Sequence, residues 1–153
     1  MPSSIGRSSV FEVMGAPEFP ALIEAYAREC RIEGMPEPNA KLESYLAYDA
    51  TGFLHVFAAV QDDALVGFIT VLAPPMPHYS APVAVCESFF VGMGHRGLLG
   101  LQLLATAEKQ ALLCGSPGLL VCAPLGGKLG LLLPKVGYHA TNVIYFKRLG
   151  DVH

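Results

Sequence analysis

The stretch that most constrains this chain is an apolar strand that runs directly into a glycine-rich turn and then a long helix, at residues 87–104. The turn holds Gly92, Gly94 and Gly97. A helix that begins after such a turn presents free backbone N–H groups and the positive end of its dipole, which together bind anions such as a diphosphate. The strand also carries one carboxylate, Glu87, and a carboxylate beside a phosphate cradle suggests chemistry on a nucleotide-linked substrate.

The composition is that of one folded domain, which we expect to span residues 1–153. Hydrophobic residues make up 52% of the chain and charged residues 15%, which excludes a disordered protein. The net charge of −3 argues against nucleic-acid binding, which favours a basic surface. The longest uncharged run, residues 64–86, contains four prolines and cannot form a membrane-spanning helix. We therefore expect neither a nucleic-acid nor a membrane partner.

The four cysteines lie far apart, without a CxxC pair, and each falls in an apolar segment. This pattern predicts buried free thiols, as in a cytoplasmic protein. The first ten residues also lack the apolar core of a signal peptide. The histidines show no paired metal-ligand spacing, so we expect no metal.

Local patterns predict an alternating series of strands and helices. Residues 1–9 are expected to be frayed. Strands are predicted at residues 10–14, 53–61, 64–72, 83–91, 119–123, 138–140 and 142–149, and helices at 16–32, 40–50, 98–114 and 125–133. This order predicts an α/β (α+β) fold with a mixed, mostly antiparallel sheet, helices on both faces and one β-α-β crossover over residues 83–123. Ligands bind near such a crossover, which places the opening stretch at the site.

In the order of its predicted strands and helices and in its glycine-rich loop, the chain resembles the GNAT superfamily of acetyl-CoA-dependent N-acyltransferases. The resemblance runs from about Val10 to Leu149. The loop is similar to that of a divergent, phage-type branch of acyltransferases. The family's acyl-CoA loop reads Arg/Gln-x-x-Gly-x-Gly/Ala after the fourth strand. Here that place holds Gly92-Met93-Gly94-His95-Arg96-Gly97-Leu98-Leu99-Gly100-Leu101. Either His95 or Arg96 takes the Arg/Gln position, and in both alignments leucine replaces at least one glycine. Because backbone N–H groups contact the diphosphate, a leucine whose side chain points away can serve.

The resemblance implies that the fourth and fifth strands splay apart and that the pantetheine of acetyl-CoA pairs with the fourth. Those positions correspond to Phe89, Phe90 and Val91, which otherwise simply fill the core. The expected CoA-binding residues are therefore those three together with the loop residues His95, Arg96, Gly97, Leu98, Leu99, Gly100 and Leu101. The Arg96 guanidinium can pair with a phosphate bidentately, or can be a solvated surface group.

Glu87 is the candidate catalytic base, since acetyl transfer requires a neutral amine. In strict alternation it shares a strand face with Val85, Phe89 and Val91. The alternatives are that it contacts a cationic substrate without moving a proton, or that it is structural. The family's usual tyrosine acid is missing, because Gly137-Tyr138 matches the family's Gly-Phe and Leu133 then stands in the tyrosine's place.

The sequence thus predicts an N-acetyltransferase that uses acetyl-CoA as co-substrate and acts on a small-molecule or peptide amine by direct attack. Its candidate acceptor-pocket residues are Tyr26, Tyr45, Tyr48, His78 and Tyr79. A non-catalytic acyl-CoA-binding or interaction protein of the same fold is the alternative, since the acid is missing, and an α/β domain without a CoA site is the third. The apolar content makes a homodimer reasonable.

Overall fold

The computed structural model describes residues 3–36 and 39–150. The elements follow in the order β1 (Ser3–Ser8), α1 (Val10–Met14), α2 (Phe19–Glu29), α3 (Leu42–Ala50), β2 (Leu54–Gln61), β3 (Ala64–Leu72), β4 (Pro75–Met76), β5 (Ala81–Pro82), β6 (Ala84–Val91), α4 (Leu98–Leu113), β7 (Leu119–Val121) and α5 (Lys128–Leu132). Short 3-10 helices at Met93–His95 and Leu133–Val136 flank α4 and α5.

One sheet of five strands, in the order β1-β2-β3-β6-β7, organises the structure. The first four strands pair antiparallel, whereas β6 and β7 pair parallel, and α4 connects them. Strands β4 and β5 form a separate two-stranded ribbon within the proline-rich loop. This confirms the predicted mixed, mostly antiparallel sheet with one β-α-β crossover.

Helices cover both faces of the sheet, and each face has its own apolar cluster. On one face α4 packs through Leu99, Leu103, Leu104, Ala107 and Ala111 against residues of β3 and β6. On the other face α1, α2 and α3 cover a cluster that includes Phe68 and Phe90. Because α4 is fixed along its length by buried leucine and alanine, its first turn is held rigidly at the end of β6.

The prediction for the first residues was wrong in two ways. Residues 10–14 form helix α1 rather than a strand, because the Ser9 hydroxyl caps the helix by accepting a hydrogen bond from the Glu12 N–H at 3.1 Å. Ser3–Ser8, expected to be frayed, forms β1 and pairs along its whole length with β2. Its polar composition gives no strand signal, so tertiary pairing decides its structure.

The two closing strands predicted at residues 138–140 and 142–149 were also wrong. These residues belong to no strand. A strand requires a hydrogen-bonded neighbour, which the apolar β-prone sequence does not find in the described part of this single chain.

The four cysteines are free thiols, as predicted, but they are not all buried. Cys86 is buried in β6, Cys30 and Cys114 are partly exposed, and Cys122 is exposed. Burial raises the pKa of the Cys86 thiol to about 12. No helix in the described ranges is both long enough and apolar enough to cross a bilayer.

Candidate active site

The sheet opens at the point where β6 and β7 separate. Their parallel pairing runs from Ala84 opposite Leu119 to Cys86 opposite Val121, and there it ends. Beyond Cys86, β6 continues to Val91 and pairs with β3 alone. Among the described strands none covers the other edge of this second half of β6, as the resemblance implies for the fourth and fifth strands of the family.

A β-bulge lies at the start of this open half. Thr70 of β3 faces Ser88, and the next residue, Val71, faces Cys86, so Glu87 has no partner in the ladder. A bulge shifts the side chains that follow it to the opposite faces. Phe90 accordingly packs with α2 on one face, while Phe89 packs against the α4 cluster on the other. The expectation that Glu87 shares the face of Phe89 and Val91 was therefore wrong.

The bulge turns Glu87 toward α3, where two hydroxyl groups hold its carboxylate. The Tyr45 hydroxyl donates to Oε1 at 2.8 Å and the Thr70 hydroxyl donates to Oε2 at 2.8 Å. Thr70 Oγ1 also accepts a hydrogen bond from the Ser88 N–H at 2.9 Å and lies 2.7 Å from Ser88 Oγ. Since Thr70 gives its one proton to Glu87, the Ser88 hydroxyl donates to Thr70 in this arrangement.

This hydrogen-bond network orients the Glu87 side chain without burying it. Thr70 and Ser88 are buried, whereas Glu87 is exposed. Each carboxylate oxygen accepts one hydroxyl proton and keeps lone pairs for a further donor. The side chain is thus held in place and can still accept a proton from a bound molecule.

Two tyrosines stand around this carboxylate. Tyr26 of α2 packs edge-on against Phe90, with ring centroids 5.7 Å apart. Burial raises the pKa of Tyr26, with smaller contributions from Cys30 and Glu87. Burial also raises the pKa of Tyr45, and the charge and hydrogen bond of Glu87 add to the effect. Both tyrosines therefore remain neutral near physiological pH, and Tyr45 stays a hydrogen-bond donor.

The other candidate acceptor residues lie elsewhere on the surface. Tyr48 of α3 is 54% exposed and Tyr79 is 64% exposed. The His78 ring packs against Tyr79, with centroids 4.3 Å apart, in the loop between β4 and β5. Of the five residues predicted for the pocket, the structure brings Tyr26 and Tyr45 to Glu87.

The turn between β6 and α4 depends on one glycine. Gly97 has φ +107° and ψ −120°, a conformation open essentially to glycine alone. It places the chain so that α4 begins at Leu98, and the first bond of the helix runs from the Leu101 N–H to the Gly97 carbonyl at 3.3 Å.

The start of α4 is not capped by a side chain among the described residues. The N–H groups of Leu98, Leu99 and Gly100 precede the first intrahelical bond, so they point out of the helix end. The Leu98 side chain is 70% exposed and so points into solvent, whereas the Leu99 side chain is buried in the core. A Cβ at Gly100 would lie 3.8 Å from the Phe89 ring, so this helix end adjoins the open half of β6.

The two basic residues of the turn contact the protein itself. The Arg96 guanidinium donates to the Val91 carbonyl at 3.0 Å and to Glu29 Oε1 at 2.6 Å, and it lies over the Phe90 ring. His95 Nδ1 lies 2.9 Å from Gln61 Oε1. In this arrangement Arg96 fastens the turn to α2 and β6.

Leu133, which is expected in the place of the family's tyrosine, is part of the core. Leu133 is buried in the α4-face cluster. The nearest tyrosine in sequence, Tyr138, also packs on that face, where its hydroxyl donates to Glu108 Oε2 at 2.9 Å. Burial raises the pKa of Tyr138, followed by the hydrogen bond to Glu108.

Sequence reasoning missed the second partner of Glu87, which is Thr70, and the role of Ser88. A signal was present, since Glu87 and Ser88 place two polar residues side by side in an apolar strand, where simple alternation allows one. Such a doubled polar position indicates a bulge. Within residues 3–36 and 39–150, no cluster of three or more His, Cys, Asp or Glu side chains could hold a metal ion.

The chain is similar to known proteins both in sequence and in structure. The model of the acetyltransferase (GNAT) family matches residues 19–123, which is more than half of the chain. A search of the curated proteins found no matching relative.

Solved structures share the fold over nearly the whole chain. The ribosomal-protein-alanine N-acetyltransferase of Brucella melitensis biovar Abortus 2308 is 19% identical, with 99% of this chain and 100% of that chain covered and a TM-score of 0.75. An aminoglycoside acetyltransferase from an uncultured soil metagenomic sample is 17% identical over 97% of both chains, with a TM-score of 0.71. The glucosamine-6-phosphate N-acetyltransferase of Arabidopsis thaliana is 11% identical over 96% of this chain and 98% of that chain, with a TM-score of 0.72.

Proposed function

The chain belongs to the GNAT acetyltransferase family, and from that premise we propose that it transfers an acetyl group from acetyl-CoA to an amine by direct attack. The observation that carries the proposal is the open half of β6, residues 87–91, which adjoins the uncapped start of α4. These two features offer one binding surface for an elongated molecule that has an amide-bearing arm and a diphosphate.

Acetyl-CoA is the co-substrate in this proposal. The N–H groups of Leu98, Leu99 and Gly100 bind the diphosphate, supported by the dipole of the 16-residue helix α4. The pantetheine arm adds to β6 along Phe89, Phe90 and Val91, as an extended peptide adds to a sheet edge. His95, Gly97 and Leu101 shape the turn around the diphosphate. Arg96 contributes indirectly, because its hydrogen bonds to Glu29 and Val91 hold the turn in place.

Glu87 is the general base. The acceptor amine attacks the thioester carbonyl carbon and forms the C–N bond, its proton passes to the Glu87 carboxylate, and the C–S bond breaks to release the CoA thiolate. General-base catalysis of this kind contributes roughly 10²–10⁴-fold to rate. The hydrogen bonds from Tyr45 and Thr70 support this role because they hold the carboxylate in one orientation.

The leaving thiolate takes its proton from water in this proposal. Leu133 is apolar and buried, so it supplies no acid at the position where the family has a tyrosine. Because a thiol has an ordinary pKa near 8.5, a thiolate is a good leaving group and can depart before it is fully protonated.

The acceptor is a small-molecule or peptide amine that enters beside α2 and α3. Tyr26 and Tyr45 flank Glu87 there, and an amine that carries an apolar or aromatic group suits their rings. The similar structures include enzymes named for a ribosomal-protein alanine, an aminoglycoside and glucosamine 6-phosphate, so the fold accommodates acceptors of different size.

The whole chain acts as one acyltransferase domain in this proposal, in the cytoplasm. The two apolar clusters lie on opposite faces of the same sheet, which supports one domain over residues 1–153. Four free cysteines suit a reducing compartment.

A second candidate function is acyl-CoA binding without transfer, and the buried Leu133 in the tyrosine's place favours it. The two functions are distinguished by measuring free thiol release from acetyl-CoA with a panel of amines, beside the melting temperature with and without acetyl-CoA. Stabilisation by the ligand together with amine-dependent thiol release supports transfer. Stabilisation without release supports the binder, and no shift at millimolar acetyl-CoA contradicts both.

A further inference from the structure

A second group of polar side chains meets at the far end of α4, away from the turn that precedes this helix. Cys114 is the C-cap of α4 and is partly exposed, and Gln110 lies one turn before it. His55 of β2 and Arg7 of β1 reach the same place from the sheet. We call these four residues the Cys114 cluster. The proposed acetyl transfer at Glu87 uses none of them.

The hydrogen bonds of the Cys114 cluster have a fixed direction. A guanidinium group only donates, so Arg7 donates to His55 Nδ1 at 3.3 Å and to Gln110 Oε1. The proton of the neutral His55 ring is therefore on Nε2, which lies 3.4 Å from Cys114 Sγ. Because the Gln110 amide oxygen is turned to Arg7, its Nε2 donates to the same sulfur at 3.3 Å. The sulfur thus accepts hydrogen bonds from an imidazole and from an amide.

The His55 ring is neutral near physiological pH. Burial lowers the pKa of His55, the charge of Arg7 lowers it further, and Asp49 opposes these effects. A second ring proton, on Nδ1, would also point at the guanidinium of Arg7. His55 therefore acts as a hydrogen-bond donor to the sulfur and not as the base that takes the thiol proton.

The surroundings of this sulfur suit a negative charge. Hydrogen bonds are strongest when the acceptor is ionised, so the two N–H donors favour an anionic sulfur, as does the nearby charge of Arg7. The Arg7 guanidinium is itself positioned over the Phe57 ring, 5.1 Å from its centroid. The C-terminal end of a helix disfavours an anion through its dipole. The side chains of the cluster, and not the place of Cys114 in α4, therefore supply this stabilisation.

The other three cysteines provide a comparison within the same chain. Burial raises the pKa of the Cys86 thiol to about 12 and also raises the pKa of Cys30. Cys122 is exposed, whereas Cys114 is partly exposed. If access alone decided reactivity, Cys122 would react first. Reaction of Cys114 ahead of Cys122 would therefore report the effect of the cluster.

We propose that Cys114 is a modification site that takes a low-molecular-weight disulfide by thiol–disulfide exchange. The thiol proton passes to solvent, and the anionic sulfur attacks one sulfur of the disulfide. A new S–S bond forms while the original S–S bond breaks, and the departing thiolate takes a proton from solvent. Cys114 is oxidised and the released half of the disulfide is reduced. This inference stands independently of the proposed catalytic function, because the exchange requires neither acetyl-CoA nor Glu87.

The test treats the folded full chain with less than one equivalent of oxidised glutathione and follows the adduct at each cysteine by peptide mass spectrometry. Cys114 is expected to react at least about tenfold faster than Cys122, since even one hydrogen bond to a charged group is worth roughly that factor. Equal rates at the two cysteines overturn the proposal. So do faster reaction at Cys122 and the absence of an adduct at Cys114.

Matched variants identify the cause of the reactivity. Arg7→Met removes the charge and the donor that orients the other two side chains, and Arg7 is exposed, so the fold should be kept. His55→Phe removes the Nε2 donor and keeps a ring of similar size. Both variants are expected to slow the reaction of Cys114 and to leave that of Cys122 unchanged. The control is Arg28→Met, because Arg28 is 72% exposed and pairs with Glu24 on α2.

The control should react like the wild type at both cysteines. Cys122 also reports the fold, because unfolding would change its rate together with that of Cys114. An unchanged Cys114 rate in either folded variant contradicts the role of the cluster. A slower Cys114 in the Arg28 control contradicts it as well, since that loss would not depend on contacts with the sulfur.

Discussion

The Tyr45 hydroxyl donates a 2.8 Å hydrogen bond to Glu87 Oε1 and so ties α3 to the bulge in β6. The bond joins a helix that covers the acceptor side to the one carboxylate of the open strand. It gives Tyr45 a role that its position in the sequence does not reveal, which is to hold the Glu87 carboxylate in one orientation.

Replacing Tyr45 by Phe is expected to lower kcat by roughly 10–100-fold, because a hydrogen bond to a charged group contributes roughly 1.5–3 kcal/mol. The KM for acetyl-CoA should stay close to that of the wild type, since Tyr45 lies away from the start of α4. Tyr48→Phe on the same helix is the control, because Tyr48 is exposed and should tolerate the change. Equal kcat values for the two variants would show that Tyr45 does not position Glu87.

Replacing Glu87 by Gln removes the carboxylate proposed as the base but keeps the size of the side chain. We expect kcat to fall by roughly 10²–10⁴-fold, with the melting temperature little changed because the side chain is exposed. Thiol release from acetyl-CoA in the presence of amine measures the effect. The control is Glu24→Gln, whose carboxylate is 69% exposed and pairs with Arg28 one turn away. Undiminished turnover in the Glu87 variant would remove it as the base.

The turn before α4 should tolerate alanine at one glycine and not at another. Gly97→Ala forces a side chain into φ +107°, at a cost of roughly 1–3 kcal/mol, so it should lower the melting temperature and weaken acetyl-CoA binding. Gly94→Ala in the same turn is the control, since its Cβ meets nothing within 4 Å and its φ is not positive. Thermal melts and calorimetric titration give both readings. Identical behaviour of the two variants would refute the role assigned to Gly97.

Stability should fall in alkaline solution because of the site tyrosines. Burial raises the pKa of Tyr26 and of Tyr45 in the folded state, so both keep their protons when an unfolded tyrosine, with its ordinary pKa near 10, has lost its own. The unfolded state then binds fewer protons, and the free energy of unfolding decreases as pH rises above about 10. Tyr45→Phe should reduce this decrease in urea unfolding between pH 9 and pH 11. A slope equal to that of the wild type would contradict the assigned shift.

Elements with a strong local pattern were predictable from the sequence. The β2–β3 hairpin is one example, because two apolar runs flank Asp62 and Asp63, which take the positive φ values of 53° and 61° that a tight turn needs. Helix α4 is another, since a long apolar stripe follows a glycine turn. In these segments local propensity and tertiary packing favour the same structure.

The rest depended on partners that are distant in sequence. β1 is a strand because β2 pairs with it, whereas residues 138–149 have a β-prone composition and belong to no strand. The face on which Glu87 lies depends on the register of β3, where Thr70 and Val71 face Ser88 and Cys86. A single inserted residue reverses the side chains that follow, so alternation alone assigned Glu87 to the wrong face.

A crystal structure of the protein with CoA tests the proposed site directly. The diphosphate is expected within hydrogen-bonding distance, about 2.7–3.2 Å, of the N–H groups of Leu98, Leu99 and Gly100, with pantetheine along the open half of β6. A diphosphate bound away from the start of α4, or no bound CoA at millimolar concentration, would contradict it.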